Sequence, residues 1–215
     1  MASPFTSDDP NVIQMRYHLK ALGRELVRER AWSQLQKTHT FNTVDGTDNY
    51  ALPADFAAWA NSSEWNRTTD TPLTGAMGPE GWQTLKASAV ATTASYYFRV
   101  YGNRLYLHPS PSAVETIAFE YVSAYWVQPT GQSAPTTETP TATTDTLWFD
   151  GHLLSRGLKV RWREGKRLDA TAERNEYERV LAAVSGNDGA HAVIDLAAGA
   201  RGERLPRLPE TGWGT

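Results

Sequence analysis

The chain has 215 residues, of which 40% are hydrophobic, and it includes eight tryptophans and nine tyrosines. This length and apolar content predict one soluble domain, or one domain with a sizeable insertion, and a formal net charge of −3 does not indicate a wide basic surface for nucleic acid. The absence of cysteine excludes disulfides and thiolate metal sites. The N-terminus has no signal-peptide pattern, and no apolar run approaches the roughly 20 residues of a membrane-spanning helix.

A long amphipathic helix is predicted near the N-terminus. Asp9 can cap the free amides, and Pro10 suits the first helical position, where no N–H is missed. Apolar residues then recur at spacings of three and four, and we expect the helix to run to about Gln36. A core helix explains this pattern better than a basic nucleic-acid helix. The apolar positions are Val12, Met15, Leu19, Leu22 and Leu26.

The sequence period changes after this helix. Residues 41–52 predict a short hairpin with its turn at Asp45-Gly46. Farther along, Phe56 and Trp59 indicate a single helical turn.

Residues 61–81 contain Asn, Ser, Thr, Gly and proline, which is typical of a surface loop. Within this segment, Gly78-Pro79 predicts the start of a short helix that includes Trp82 and Leu85.

The stretch 96–127 shows the clearest strand pattern of the chain. Large and polar residues alternate on both sides of Gly102-Asn103, a pair that tolerates positive φ and suits a two-residue hairpin loop. After a proline-rich corner, the alternation resumes over residues 117–124. We therefore predict three antiparallel strands in one small sheet.

Residues 128–144 are nearly all Pro, Thr, Gly, Ser and Ala, and this composition predicts an exposed loop. Helical periodicity then returns, with Asp145 as the predicted cap of a helix over residues 147–164. A further helix, capped by Asp169, is expected to end near Ser185. The two helices would form an αα-hairpin.

Two glycines lie inside the first of these helices. Glycine costs about 1 kcal/mol in a helix interior. We therefore expect Gly151 or Gly157 to mark a close approach of another helix.

The last segment, 187–215, combines leucines, prolines and arginines without a sustained period. Pro206 and Pro209 favour an extended path over a helix, so the segment is predicted to be an extended arm that lies in a groove of another chain. Its expected interface residues are Leu205, Leu208, Trp213, Arg204 and Arg207.

Motifs for chemistry are absent from the sequence. The five histidines show no metal-ligand spacing, and no phosphate-binding loop or nucleophile elbow occurs. Glu115 and Glu120 are a conceivable glycosidase pair, but their spacing alone is no better than chance. The aromatic-rich sheet is a conceivable carbohydrate-binding face, although core packing explains the same residues with fewer assumptions. We therefore predict no enzymatic activity, no catalytic or metal-binding residues and no cofactor.

Four segments, in their order and spacing, carry a resemblance to a known family. Together with the predicted helices they cover most of residues 8–186, and the chain resembles the head-to-tail adaptor (connector) proteins of tailed bacteriophages, in particular those of short-tailed phages. The segments are residues 50–56 (YALPADF), 79–83 (PEGWQ), 97–109, and 119–123 (FEYVS) with Trp126.

The resemblance implies a structural virion protein without a cofactor. Such proteins form a ring, usually of twelve subunits, between the portal and the tail or nozzle, and DNA passes non-specifically through the lumen. The expected location is the neck of the virion, after assembly in the host cytoplasm.

These observations predict an α+β fold in three parts. A helical bundle would comprise residues 8–38 and 145–186, an antiparallel β-rich insertion residues 39–144, and an extended C-terminal arm residues 187–215. The alternatives are another tail or virion component, or, in a different class, a carbohydrate-binding module or hydrolase. A gene position among portal, capsid and tail genes would favour the adaptor.

Overall fold

The computed structural model describes residues 4–60, 63–87 and 95–188. Within these ranges the chain is α+β, with four α-helices and antiparallel sheets. The helices are α1 (Pro10–Glu29), α2 (Pro79–Ala87), α3 (Gly151–Gly165) and α4 (Thr171–Asp188), and a 3₁₀ turn spans Ser33–Leu35. The strands are β1 (Gln36–Asn42), β2 (Asn49–Ala51), β3 (Phe56–Trp59), β4 (Trp65–Asn66), β5 (Thr71–Pro72), β6 (Tyr97–Tyr101), β7 (Arg104–His108), β8 (Thr116–Ser123), β9 (Val127–Gln128) and β10 (Thr146–Leu147).

Helix α1 begins as predicted but ends earlier. The Asp9 side chain accepts a hydrogen bond from the Asn11 amide at 2.8 Å, which caps the helix. The helix ends at Glu29 rather than near Gln36, because the chain turns to bury Trp32. The indole N–H of Trp32 donates to the Leu26 carbonyl at 2.7 Å, which satisfies one of the free carbonyls at the helix end.

Strand β8 is the centre of the larger sheet. β1 pairs with β8 along its whole length, while β3 and β4 pair with different parts of the opposite edge. Both faces of β8 are buried, since Ile117 and Phe119 on one face and Val122 on the other are at most 1% exposed. A strand buried on both faces and paired on both edges fixes the positions of its neighbours.

Four predictions for the β-rich region were wrong in the choice of partner or element. β1 and β2 do not form a hairpin, because β1 pairs with β8 and β2 with β7. Of the three strands predicted to share a sheet, only β6 and β7 pair with each other, and β8 lies in the larger sheet. The predicted helical turn at Phe56 and Trp59 is strand β3, and the predicted loop over residues 61–81 contains β4 and β5. Alternation identifies a strand, but it does not identify the strand beside it.

The β6–β7 hairpin and helix α2 were predicted correctly. Gly102 and Asn103 both adopt positive φ, at 57° and 58°, as a two-residue hairpin loop requires. The buried face of this smaller sheet shares one hydrophobic cluster with β8, so the two sheets pack through a common core. That cluster contains Leu52, Leu73, Phe98, Leu105, Leu107, Ile117, Phe119 and Tyr121.

Helices α1, α3 and α4 pack together in a second core. Strand β8 and the residues after it contribute to this core as well, so the helices are built directly onto the larger sheet. Its members are Leu22, Leu26, Val27, Trp32, Leu35, Val122, Trp126, Val127, Phe149, Leu153 and Leu154. The αα-hairpin of α3 and α4 was predicted, but α3 begins later than expected. Its cap is Asp150, which accepts from the Leu153 amide at 2.8 Å, and not Asp145.

The loop of residues 128–144 is packed against the protein rather than exposed throughout, contrary to its prediction. Pro135 and Pro140 are buried, and Asp145 accepts hydrogen bonds from the amides of residues 141 and 142 at 2.7 and 2.9 Å. Glu138 accepts a hydrogen bond from Arg24 Nε on α1 at 2.8 Å. The polar composition of this loop therefore gave no indication that buried prolines and an ion pair fix it against the protein.

The proposed division of the chain into a helical bundle, an inserted β-rich region and an arm stays a prediction. The two cores share β8, with Val122 on the helical side and Ile117 on the sheet side. Asn187 and Asp188, which were assigned to the arm, are the last residues of α4. The rest of the predicted arm lies outside the described residues.

Of the two glycines predicted to mark a close approach, Gly157 does so. A Cβ there would lie 2.6 Å from Leu22 Cδ2 on α1 and 3.0 Å from Tyr177 Cε2 on α4. At Gly151, the first residue of α3, a Cβ would meet nothing within 4 Å.

We expect Gly157→Leu to lower the free energy of unfolding by about 1–3 kcal/mol, because the added side chain overpacks the junction of the three helices. Urea denaturation followed by far-UV circular dichroism measures this change. Gly151→Leu is the matched control and should leave stability nearly unchanged. Equal stability of the two variants would contradict the contact.

Candidate functional site

The interface residues predicted from the sequence all belong to the C-terminal segment. Leu205, Leu208, Trp213, Arg204 and Arg207 all lie outside the described residues. The described ranges contain polar clusters, grooves and aromatic surfaces.

The carboxylates and histidines do not form a metal cluster within residues 4–60, 63–87 and 95–188. The conceivable glycosidase pair also has separate environments. Glu115 accepts a hydrogen bond from Asn66 Nδ2 at 2.6 Å beside β4, whereas Glu120 is exposed on β8. These contacts give Glu115 a structural role.

The aromatic residues of the sheets support core packing over a carbohydrate platform. Trp59 stacks on Phe119 at 4.2 Å and on Phe98 at 5.4 Å between ring centroids, inside the shared core. Tyr101 is 47% exposed, but its ring stacks on Tyr106 at 4.2 Å. The large rings thus mostly contact one another.

The most developed polar cluster surrounds Asp55, just before β3. The Asp55 carboxylate accepts hydrogen bonds from Lys37 Nζ at 2.7 Å, from the Tyr121 hydroxyl at 2.9 Å and from the Ser123 hydroxyl at 2.7 Å. Asp55 is 9% exposed, so this charge is neutralised and hydrogen-bonded within the protein. Lys37 also donates to the carbonyl of Pro135 at 3.4 Å, which links the cluster to the loop of residues 128–144.

The cluster shifts the pKa values of its members in opposite directions. Burial alone would raise the pKa of Asp55, but the hydrogen bonds from Lys37, Ser123 and Tyr121 outweigh burial and hold this pKa below its ordinary value of 3.8. Burial and the hydrogen bond to Asp55 raise the pKa of Tyr121 far above its ordinary value. Asp55 is therefore ionised and Tyr121 protonated at neutral pH, so the cluster holds β1, β3 and β8 together and is not arranged for proton transfer.

A groove of about 680 Å³ runs between α1, α3 and α4. Its floor is apolar, and its rim carries charged side chains from all three helices. The floor residues are Leu22, Gly157, Val160, Tyr177 and Leu181, and the rim residues are Glu25, Arg28, Glu29, Arg161, Glu164, Arg174 and Glu178. We call this feature the helical groove.

Ion pairs cross the rim of the helical groove. Arg161 pairs with Glu25, and Arg174 pairs with Glu164. No ion pair within the described part of the chain engages Glu29 or Glu178.

A second cavity, of about 420 Å³, lies between the start of the chain, α1 and the loop of residues 128–144. Phe5, Ile13 and Tyr17 contribute apolar surface, and Tyr17 is 71% exposed. This surface is accessible in a single chain.

Sequence reasoning missed the Asp55 cluster and the helical groove. Asp55 lies in one of the segments that carry the family resemblance, but its partner Lys37 is 18 residues away, in the range 8–38 that was assigned to the helical bundle. The helical groove exists only because three helices pack in particular relative positions, and no local sequence pattern specifies those positions.

These polar contacts stabilise the fold, and two grooves are accessible at the surface of a single chain. The family model described as SU10 adaptor protein matches residues 3–201, and the chain belongs to this family. The match confirms the resemblance to phage head-to-tail adaptors. The family implies a structural protein of the bacteriophage neck that associates with portal and tail and self-assembles.

No curated protein matches this sequence significantly. Among the described residues, no helix is long and apolar enough to cross a membrane.

We expect Asp55→Asn to lower the free energy of unfolding at pH 7 by about 1–3 kcal/mol, since an amide cannot accept all three donors as the carboxylate does. The pKa of Asp55 is depressed in the folded state, so its contribution is present above pH 3.8 and is lost as the pH falls through the lower folded-state pKa. The stability difference between the variant and the unmodified protein should therefore shrink in acid. Urea denaturation at a series of pH values measures it.

The control for this experiment is Asp8→Asn, which alters an exposed aspartate ahead of α1. Its effect should be small at every pH. A difference for Asp55→Asn that stays constant from neutral pH to pH 3 would contradict the ionised cluster.

Proposed function

We propose that this chain is a head-to-tail adaptor that forms a ring, usually of twelve copies, between the portal and the tail or nozzle of a phage. The observation that carries this proposal is the family match over residues 3–201. The protein would reside in the virion neck after assembly in the host cytoplasm, and it would need neither a cofactor nor an enzymatic activity.

The described surface supports a protein that binds other proteins. A closed ring of identical chains needs two different complementary faces on each copy. The chain offers accessible apolar surface at the second cavity and a helical groove with a charged rim elsewhere, on different sides of α1. A heterologous contact, in which one surface of a copy meets a different surface of the next copy, requires two distinct faces of this kind.

The DNA that passes through the proposed lumen would be contacted weakly and without sequence preference. Net charge is −3, and five arginines on the described helices are already paired with glutamates. They are Arg24, Arg156, Arg161, Arg163 and Arg174. A paired guanidinium is less available for phosphate than a free one. Any phosphate contacts that form would weaken steeply as salt concentration rises.

Electron cryo-microscopy of the purified protein, alone and mixed with the portal protein of the same phage, tests the proposal. We expect a closed ring seated on the portal, because the family is one of adaptors. A protein that neither forms a ring nor binds the portal would be a different virion component.

We further propose that the C-terminal segment fixes the ring to the portal or to an adjacent subunit through Leu208 and Trp213. Buried aromatic and arginine anchors dominate interface energies. Removing residues 189–215 should impair assembly onto the portal and leave the melting temperature nearly unchanged. The deletion must begin after Asp188, because that side chain accepts a hydrogen bond from the Ser33 amide at 3.1 Å.

Differential scanning calorimetry and portal pull-down measure the two effects of the deletion. The control deletes only residues 214–215, which leaves the expected anchors in place. If the long deletion assembles as well as the full chain, the segment has no role in assembly.

A further inference from the structure

The helical groove combines an apolar floor with two rim carboxylates that make no ion pair with the residues that the structure describes. Leu22 and Val160 are nearly buried at its base, while Tyr177 and Leu181 are half-buried along it. Glu29 on α1 and Glu178 on α4 stand on the rim, and neither makes an ion pair within the described part of the chain. Arg28 is the one rim cation without an ion pair among the described residues, so the unpaired rim charges are two carboxylates and one guanidinium. A partner for this groove needs apolar side chains for the floor and cationic side chains for the rim.

The chain itself contains a segment of this composition. In the order of the sequence, Arg204, Leu205, Pro206, Arg207 and Leu208 alternate cationic and apolar residues around a proline. In a polyproline path of about 3.1 Å per residue, the two leucines would be roughly 9 Å apart. The helical groove extends along α1 from residue 22 to residue 29, about 10 Å at 1.5 Å per residue. Length and charge therefore agree.

The position of α4 puts this segment within reach of such a groove. Arg30 Nη1 donates to the carbonyl of Ser185 at 3.1 Å, so α4 ends beside the end of α1. At roughly 3.3 Å per extended residue, Leu205 and Leu208 can reach more than about 50 Å from Asp188. This reach extends beyond a single subunit of this size.

We propose that the helical groove receives residues 204–208 of a neighbouring copy, with Leu205 and Leu208 on its floor and the two arginines against Glu29 and Glu178. This inference rests on the proposed ring. A groove on one copy and a segment on the next are two different complementary surfaces, so the contact repeats around a ring until it closes. A segment that binds its own groove would not link any copies.

The chain has no cysteine, so introduced thiols report this contact without background. Two full-length proteins are prepared, Arg28→Cys at the groove rim and Glu203→Cys beside the segment, and they are mixed and assembled before a short bismaleimide is added. Neither substitution removes a residue assigned to the contact. We expect a cross-linked pair of chains, and a mixture of Glu80→Cys with Glu203→Cys should give little product, because Glu80 lies on α2 away from the groove.

A charge swap tests the assigned residues independently of the thiols. Glu29→Lys with Glu178→Lys should weaken ring formation, so that rings form only at a protein concentration at least tenfold higher. Mass photometry measures this concentration. Adding Arg204→Glu and Arg207→Glu to the same chain should restore assembly. Glu80→Lys is the matched control and should have no effect.

The outcomes separate this inference from the proposed function. A ring that binds the portal but gives no cross-link above the Glu80 control, or no rescue by the swap, overturns the groove contact and leaves the adaptor role intact. In the double variant Arg28→Cys with Glu203→Cys, a cross-link can form within one chain or between two chains. Cross-links only within one chain also overturn the contact. Failure of the unmodified protein to form a ring or bind the portal overturns the proposed function and this inference together.

Discussion

Strand β8 is the constraint on which the rest of the structure depends. Its backbone is paired on both edges, and its two faces supply side chains to two different cores. Every buried backbone amide and carbonyl needs a partner, so the neighbours of such a strand cannot shift independently. The smaller sheet packs on one face of β8 through Phe119, and the helices pack on the other through Val122.

Two kinds of contact keep the helices and strands in this arrangement. The first is close packing: a Cβ at Gly23 would overlap the buried indole of Trp126, so α1 lies directly on that ring. The second is the ionised cluster around Asp55, where Lys37 from β1 and Tyr121 from β8 meet one carboxylate. Burying a charge is costly unless it is paired and hydrogen-bonded, so the cluster accepts few alternative arrangements of these strands.

The same architecture leaves particular surfaces for partners. Most charged residues between α3 and α4 are paired, as Arg156 with Glu176 and Arg163 with Glu173, which leaves them little capacity for other ligands. The helical groove differs, because two rim carboxylates are outside these pairs and its floor is apolar. A rigid core that leaves a few surface charges and apolar side chains without partners suits a member of an adaptor family.

Local sequence information determined those elements whose cause is local. The cap at Asp9, the hairpin loop at Gly102-Asn103 and the short helix after Gly78 were predicted because neighbouring residues alone set their backbone conformations. The order of the segments also carried the family resemblance, which the match over residues 3–201 confirms.

Tertiary structure alone decided strand pairing, the end of α1 and the location of the grooves. Residues 36–42 lie in a strand because β8 supplies backbone hydrogen-bond partners along their whole length. β8 is about 80 residues farther along the chain. Of two helical glycines with similar local sequence signals, only Gly157 faces another helix, since the other stands at the exposed start of α3. Alternation and helical period describe which face of an element is apolar, whereas the identity of the facing element depends on how the whole chain packs.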